Sequence, residues 1–217
     1  MRKIIVQHCT KEQQSLFDIT KPINQAWAAR MGFEYVSDDT RRCPNRTIWW
    51  EKIAFLRAFL PTIEDGCLVV WEDADSVNIK DESFANALPP TGIFGMVQNR
   101  GGLDFQELIN WYNAGVIVMI NCPDVRDFLD RVWVRPDDTD EAAIVAELKQ
   151  HGWEIGNGIR VSSLRPKWNC WKNNEHIHKD KATNCGICED TVVKSWHGIQ
   201  LEKKFPEIKK FVDNMRK

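Results

Sequence analysis

Two aspartates, Asp73 and Asp75, stand one residue apart in the sequence VVWEDADSVNI. They follow an apolar run that predicts a buried strand, so both carboxylates are expected where that strand leaves its sheet. Two like charges this close are unfavourable unless a cation lies between them. The pair therefore predicts a site for Mn²⁺ or Mg²⁺, which take carboxylate oxygens and often phosphate oxygens of a nucleotide. The alternative is that these acids only form a turn or cap a helix.

A histidine follows the last predicted strand, in the sequence TVVKSWHGI. Imidazole is a suitable third ligand for Mn²⁺, so His197 is a candidate to join the two aspartates. Gly198 would let a ligand approach the backbone, and Lys203 would bring a positive charge to a diphosphate. The alternative is that the histidine is structural or simply exposed.

Two further segments contain candidate polar residues. One lies beside small residues at the start of a strand, and the other lies at the start of a helix. In WYNAGVIVMIN, Asn113 and Ala114 stand where a strand begins, and an Asn amide there can bond sugar hydroxyls. In PDDTDEAAIVAEL, Asp138 resembles a helix N-cap, with Asp140 and Glu141 in the first turn. The last two acids are equally candidates to contact sugar hydroxyls or the reacting carbon.

Strands and helices alternate along the chain, which predicts an α/β fold with a mostly parallel central sheet flanked by helices. Helices are predicted from Thr20 with Pro22 to Gly32, and over 49–60, 123–133, 138–151 and 205–215. Strands are predicted over 3–9, 33–36, 67–71, 93–98, 116–120, 161–164 and 191–196. Arg57 borders the apolar stripe of its helix, so it either lies at the core edge or points at a phosphate or at Asp73.

Length and composition favour one domain, 1–217. There are 29 Lys and Arg against 31 Asp and Glu, without a long run of either sign, so nucleic acid is not expected as a partner. The first apolar run is too short for a signal peptide or a transmembrane segment, which predicts a soluble, cytoplasmic protein. Seven cysteines, an odd number, fit reduced thiols better than a disulfide framework.

A cluster of metal-binding residue types lies near the carboxyl terminus. One hypothesis is a structural Zn²⁺ site, since CGIC has a spacing common among zinc ligands. The alternative is an irregular loop on the acceptor side. The candidate ligands are Cys170, His176, His178, Cys185 and Cys188.

Taken together and in order, these segments resemble the GT-A fold glycosyltransferases that use nucleotide sugars, in particular the α-galactosyltransferase, mannosyltransferase and lipopolysaccharide galactosyltransferase types. The matching segments are WWEKIAFLRAFL, VVWEDADSV, WYNAGVIVMIN, DDTDEAAI, PKWN and VVKSWHG. The resemblance implies a single GT-A-like catalytic domain with a Rossmann-like nucleotide-binding half. It also implies Mn²⁺-dependent transfer of a hexose from UDP-glucose or UDP-galactose to a glycan acceptor hydroxyl. Eukaryotic relatives usually carry an anchor, so a bacterial or viral form, or an excised catalytic domain, is expected.

The resemblance implies a role for each matching position. Metal ligands would be Asp73, Asp75 and His197, with Gly198 and Lys203 near the diphosphate. The donor sugar would be held by Arg57, Asn113, Ala114, Asp140 and Glu141, and the nucleotide would be lined by His8 and Thr10. These families mostly retain the anomeric configuration, but Glu141 stands where they often have an amide, so it is open whether it is a base, a nucleophile or a cap.

Two other readings use the same residues differently. DADSV also fits the pattern of haloacid-dehalogenase-like phosphatases, in which Asp73 would be the phosphorylated nucleophile and Asp75 the acid and base. That family usually carries the motif on its first strand, whereas here at least two strands precede it. A sugar nucleotidyltransferase is disfavoured because the first strand lacks a Gly-rich phosphate loop. A non-enzymatic, zinc-stabilised binding module would require the acidic pair to be incidental.

Overall fold

The structure is a computed structural model that describes residues 1–99, 111–156, 159–164, 166–171, 192–195 and 201–215. The helices are α1 Gln14–Met31, α2 Glu51–Phe59, α3 Pro123–Trp133, α4 Asp140–Gln150 and α5 Leu201–Met215. The strands are β1 Lys3–His8, β2 Glu34–Asp38, β3 Leu68–Asp73, β4 Val77–Asn78, β5 Phe94–Asn99, β6 Trp111–Ile120, β7 Glu154–Ile155, β8 Ile159–Arg160, β9 Ser162–Leu164, β10 Cys170–Trp171 and β11 Val193–Ser195.

A six-stranded sheet forms the centre, in the order β2-β1-β3-β6-β5-β9. The pairings β1–β2, β1–β3 and β5–β9 are parallel, and β6 runs antiparallel to both of its neighbours. The predicted mostly parallel sheet is thereby confirmed. Because β6 is reversed, its first residues lie at the same edge of the sheet as the last residues of β3. This edge is where the candidate site lies.

Alternate residues of the central strands pack on opposite faces of the sheet, as the two-residue period of a strand requires. On one face, Val69 and Trp71 belong to a core that includes buried residues of α2, α3 and α4. On the other face, Leu68 and Val70 pack with Trp27 of α1. The sheet is therefore covered on both sides, which explains the continuous apolar run of β3.

The predicted starts of helices α1 and α4 are wrong. Helix α1 begins at Gln14, not at Thr20, and Pro22 lies inside it. Its buried side chains Leu16 and Phe17 extend the helix toward its amino terminus, and their burial outweighs the proline. Helix α4 begins at Asp140, and Thr139 is its N-cap in place of Asp138, since the Thr139 side chain accepts a hydrogen bond from the Ala142 backbone N–H.

The predicted end of α1 is confirmed. Gly32 follows the helix in the left-handed conformation, with φ 69°, which glycine adopts without steric cost. Helix α3 has the predicted bounds, Pro123–Trp133. The apolar stripe of α5 is also found, since Ile208 and Val212 are buried in one cluster with Leu16 of α1 and Val77 of β4.

Candidate functional site

A cavity of about 210 Å³ opens at the carboxyl ends of β1 and β3. It lies where open α/β sheets bind ligands, at the edge that these strands share. Eight of the residues singled out in the sequence line it together. They are His8, Thr10, Asp73, Asp75, Asn113, Ala114, Asp140 and Glu141.

Strand register explains how distant segments meet here. His8, the last residue of β1, pairs with Asp73, the last residue of β3. Glu72 pairs with Val116 on the reversed strand β6, so the NAG segment 113–115 lies just past the end of β3. Helix α4 then brings its first turn, Asp140 and Glu141, to the same cavity.

Lys52 lies among these carboxylates. Its Nζ is 3.1 Å from Asp73 Oδ1 and 3.0 Å from Asp140 Oδ2, and it donates a 2.6 Å hydrogen bond to the Ala114 carbonyl. Burial alone would lower the pKa of Lys52, but the two carboxylates more than offset this and raise it, so the amine is charged. One buried cation therefore joins α2 to β3, β6 and α4.

Lys52 is not among the site residues predicted from the sequence, although a signal is present. Lys52 stands four residues before Leu56 and eight before Leu60, so it falls on the buried stripe of its own helix. A lysine at such a position requires a buried anionic partner. That requirement could have linked it to the acidic pair of VVWEDADSV.

Asp140 combines burial with an ion pair. Burial raises the pKa of its carboxyl, Lys52 opposes that change, and Asp73 adds to it. As the first residue of α4, Asp140 also has its negative charge at the positive end of the helix dipole. The carboxylate is thus fixed on a rigid element and faces the cavity.

Asp73 and Asp75 provide the oxygen ligands that a divalent cation needs. Asp73 Oδ1 accepts a 2.7 Å hydrogen bond from Trp71 Nε1 in addition to its ion pair with Lys52. Asp75 is 4% exposed and lines the same cavity. Two carboxylates on one short loop suit Mn²⁺ or Mg²⁺. Within the described residues, no group of three or more His, Cys, Asp or Glu side chains could hold a metal ion.

A buried polar network anchors the loop that follows β3. Asn24 of α1 donates to the Ser76 carbonyl at 2.8 Å and to Gln7 Oε1 at 3.1 Å, and it accepts from the Asn78 backbone N–H at 2.9 Å. Asn78 Nδ2 in turn donates to both oxygens of Glu72, at 2.9 and 3.0 Å. Burial raises the pKa of Glu72 to about 7, against the opposing effect of Asn78. The network ties the acidic loop to α1.

The cavity has a buried wall and an open rim. His8, at the end of β1, is 5% exposed, and its Nε2 lies 3.1 Å from the Thr40 carbonyl oxygen. Trp49, just before α2, lines the cavity with 58% of its surface exposed. An exposed indole at the rim of a polar cavity offers a flat apolar face to a ligand.

Arg57 does not line the cavity. Its Nε donates to Asp130 of α3, and its guanidinium lies over the Trp133 ring, 5.0 Å from the centroid. In this position Arg57 pairs with Asp130 and makes no ion pair with Asp73, which differs from its expected place beside the phosphate or the sugar. It belongs to the contact between α2 and α3, and Lys52 is the cation of α2 that faces the acids.

Several predicted ligands lie outside the described residues. These are His197 and Gly198 of the proposed metal and diphosphate site, and four members of the proposed zinc cluster, His176, His178, Cys185 and Cys188. Cys170 lies in β10, and Lys203 lies in the first turn of α5. In the described part of the chain, no helix has the length and hydropathy to cross a membrane.

Comparison with solved structures defines the fold. The chain superposes on a glycosyltransferase involved in glycosylation of the major capsid of PBCV-1, with a TM-score of 0.68 and 12% identity over 97% of this chain and 100% of that one. It is also similar to the galactosyltransferase LgtC in complex with donor and acceptor sugar analogs, with a TM-score of 0.54 and 13% identity over 96% and 95% of the two chains. The bifunctional glycosyltransferase WbbM gives a TM-score of 0.56 at 12% identity, over 99% of this chain and 51% of that one.

The chain therefore has the fold of these glycosyltransferases, which confirms the GT-A-like fold that its motifs predict. No protein-family model matches the sequence, and no curated protein matches it.

Proposed function

We propose that the protein is a metal-dependent glycosyltransferase that moves a hexose from a UDP-sugar, UDP-glucose or UDP-galactose, to a hydroxyl of a glycan acceptor. The observation that carries the proposal is the cavity itself. On a glycosyltransferase fold, it gathers Asp73 and Asp75 with the acids of α4 and the NAG segment of β6. Paired carboxylates suit a cation that binds a diphosphate, and the remaining polar groups suit hydroxyls.

The proposal gives each wall of the cavity a role. Asp73 and Asp75 would hold Mn²⁺, with His197 as the third ligand, and the ion would supply positive charge for the departing diphosphate. Gly198 and Lys203 would contact the same diphosphate in this proposal. His8 and Thr10 line the nucleotide, and Asn113 and Ala114 contact the donor sugar.

The acids of α4 act on the sugar. Asp140 is held in place by Lys52, so its ionised carboxylate can accept hydrogen bonds from sugar hydroxyls and stabilise positive charge at the reacting carbon. Glu141, the next residue, lines the same cavity and is the candidate base or nucleophile. Retention of configuration is part of the proposal, and the anomeric coupling in the NMR spectrum of the product tests it.

A phosphatase that uses Asp73 as its nucleophile is disfavoured by the same geometry. Asp73 ends β3, after two other strands of the central sheet, and its Oδ1 is already engaged by Trp71 and Lys52. The similar structures are glycosyltransferases. A zinc-stabilised binding module would not explain why acidic residues line the cavity.

The test is release of nucleoside diphosphate from a panel of UDP- and GDP-hexoses, with and without Mn²⁺, in the wild type and in Asp140→Asn. We expect Mn²⁺-dependent turnover of one UDP-hexose and a loss of about 100-fold in Asp140→Asn. Asp138→Asn is the matched control, since Asp138 is exposed and lies two residues away. Turnover of no sugar nucleotide, together with hydrolysis of phosphate monoesters in Mg²⁺, would instead favour the phosphatase.

A further inference from the structure

The side-chain amide of Asn113 has a defined orientation in the cavity wall. Its Oδ1 accepts two hydrogen bonds, from the Gly115 backbone N–H at 2.8 Å and from Asn169 Nδ2 at 2.6 Å. A backbone N–H can only donate, so the atom facing Gly115 must be the oxygen. Both lone pairs of that oxygen are then used.

The NH₂ group of the Asn113 amide is left for a ligand. Asn113 lines the cavity, and none of the described residues accepts a hydrogen bond from its Nδ2. The group available there is therefore a donor, an NH₂, and not a carbonyl oxygen. A ligand atom that meets it must be an acceptor.

Asn169 comes from a distant part of the chain. It ends the 3₁₀ helix Pro166–Asn169, the PKWN segment, and lies 56 positions from Asn113 in sequence. It is 1% exposed, and the neighbouring Trp168 packs against Phe84 with ring centroids 4.7 Å apart. A buried amide is unfavourable unless it is hydrogen-bonded, and this one donates to Asn113.

We propose that Asn169 is a positioning residue that fixes the Asn113 amide with its NH₂ toward the ligand, so that Asn113 donates to a hydroxyl oxygen of the donor sugar. The inference rests on the proposed function and deepens it. Asp140 and Glu141, when ionised, can only accept from hydroxyls. A hydroxyl that donates to one of them still has lone pairs for the NH₂ of Asn113, so this wall selects a hydroxyl and disfavours a deoxy sugar.

The test is calorimetric titration with UDP, and with the UDP-hexose that is turned over, in Mn²⁺. Asn169→Asp places a carboxylate that cannot donate to Oδ1 and repels it, so the Asn113 amide loses one of the two bonds that hold its NH₂ toward the ligand. We expect affinity for the UDP-hexose to fall about tenfold while affinity for UDP stays within about twofold. A purely structural role would weaken both ligands alike.

Two further variants test the same inference if Asn169→Asp does not fold. Asn113→Asp keeps the shape and still accepts from Gly115 and Asn169, but it presents an oxygen to the sugar, so we expect the same sugar-specific loss. Asn169→Ala removes one of the two bonds that orient the amide, and we expect a smaller loss confined to the UDP-hexose. An unchanged ratio of UDP-hexose to UDP affinity in the variants that fold overturns the inference. Failure of the wild type to bind either ligand overturns the proposed function, and this inference with it.

Discussion

At the scale of single residues, the positive charge of Lys52 offsets the repulsion between the carboxylates of the cavity. Its side chain is 8% exposed, and its ammonium pairs with two acids from different elements. Removing one partner of a buried ionic cluster leaves uncompensated charge, which destabilises a fold by about 3–5 kcal/mol. We therefore expect Lys52→Met to lower the free energy of unfolding by an amount in this range, measured by urea denaturation at neutral pH.

Arg57→Met is the matched control on the same helix. Its ion pair with Asp130 joins side chains that are 31% and 59% exposed, and such pairs contribute about 1 kcal/mol or less. We expect little destabilisation and no change in sugar-nucleotide affinity. Equal losses of stability in the two variants, or loss of sugar-nucleotide affinity in Arg57→Met, would contradict these assignments.

Glu51 gives a prediction about pH. Its carboxylate accepts from the Arg42 and Cys43 backbone N–H groups, at 2.7 and 3.0 Å, and pairs with Arg41. Burial raises its pKa, but the two backbone N–H donors and the hydrogen bond with the Cys43 side chain outweigh that and lower it below its ordinary value. A lowered carboxyl pKa stabilises the fold above the unfolded-state pKa, and that stability is lost as the pH falls through the folded-state pKa.

We therefore expect Glu51→Gln to be less stable than the wild type by about 1–3 kcal/mol near pH 7, with a difference that shrinks on acidification toward about pH 3. Urea denaturation across this pH range measures the difference. A difference that stays constant with pH would show that the charge of Glu51 does not contribute.

At the scale of elements, the loop after β3 depends on helix α1. Asn24 of α1 bonds four groups, on Gln7 of β1, Ser76 of the loop and Asn78 of β4, so Asn24→Ala leaves buried polar groups unpaired. We expect a loss of about 2–3 kcal/mol in unfolding free energy and faster hydrogen exchange at the Asn78 amide. Gln25→Ala, an exposed neighbour on the same helix, is the control and should change neither. Unchanged exchange at Asn78 in Asn24→Ala would contradict the anchoring role.

The helices and strands that the sequence predicts correctly are those that a local pattern determines. The apolar run of β3 and the proline at the start of α3 have local causes, and both elements are found. The start of α1 was missed because Pro22 is a strong local signal, whereas the burial of Leu16 depends on packing against Val77 and α5. Lys52 was missed for a similar reason, since its partner Ala114 lies 62 positions away in sequence.

At the scale of the whole molecule, the site exists because one strand of the sheet is reversed. Parallel strands β1 and β3 end at one edge with His8 and Asp73, and antiparallel β6 begins at that same edge. The chain shares its fold with glycosyltransferases to which it is only 12–13% identical. The pattern of buried and exposed positions is enough to specify such a sheet, whereas the sugar and the acceptor depend on individual side chains in the cavity.

The most direct test of the central claim is titration of the protein with UDP by calorimetry, with and without Mn²⁺, in the wild type, Asp75→Ala and Asp127→Ala. Asp127 is exposed on α3 and serves as the control. We expect UDP to bind only when Mn²⁺ is present, Asp75→Ala to weaken binding by roughly tenfold or more, and Asp127→Ala to bind like the wild type. Failure of UDP and the other nucleoside diphosphates to bind in Mn²⁺ would contradict the glycosyltransferase assignment.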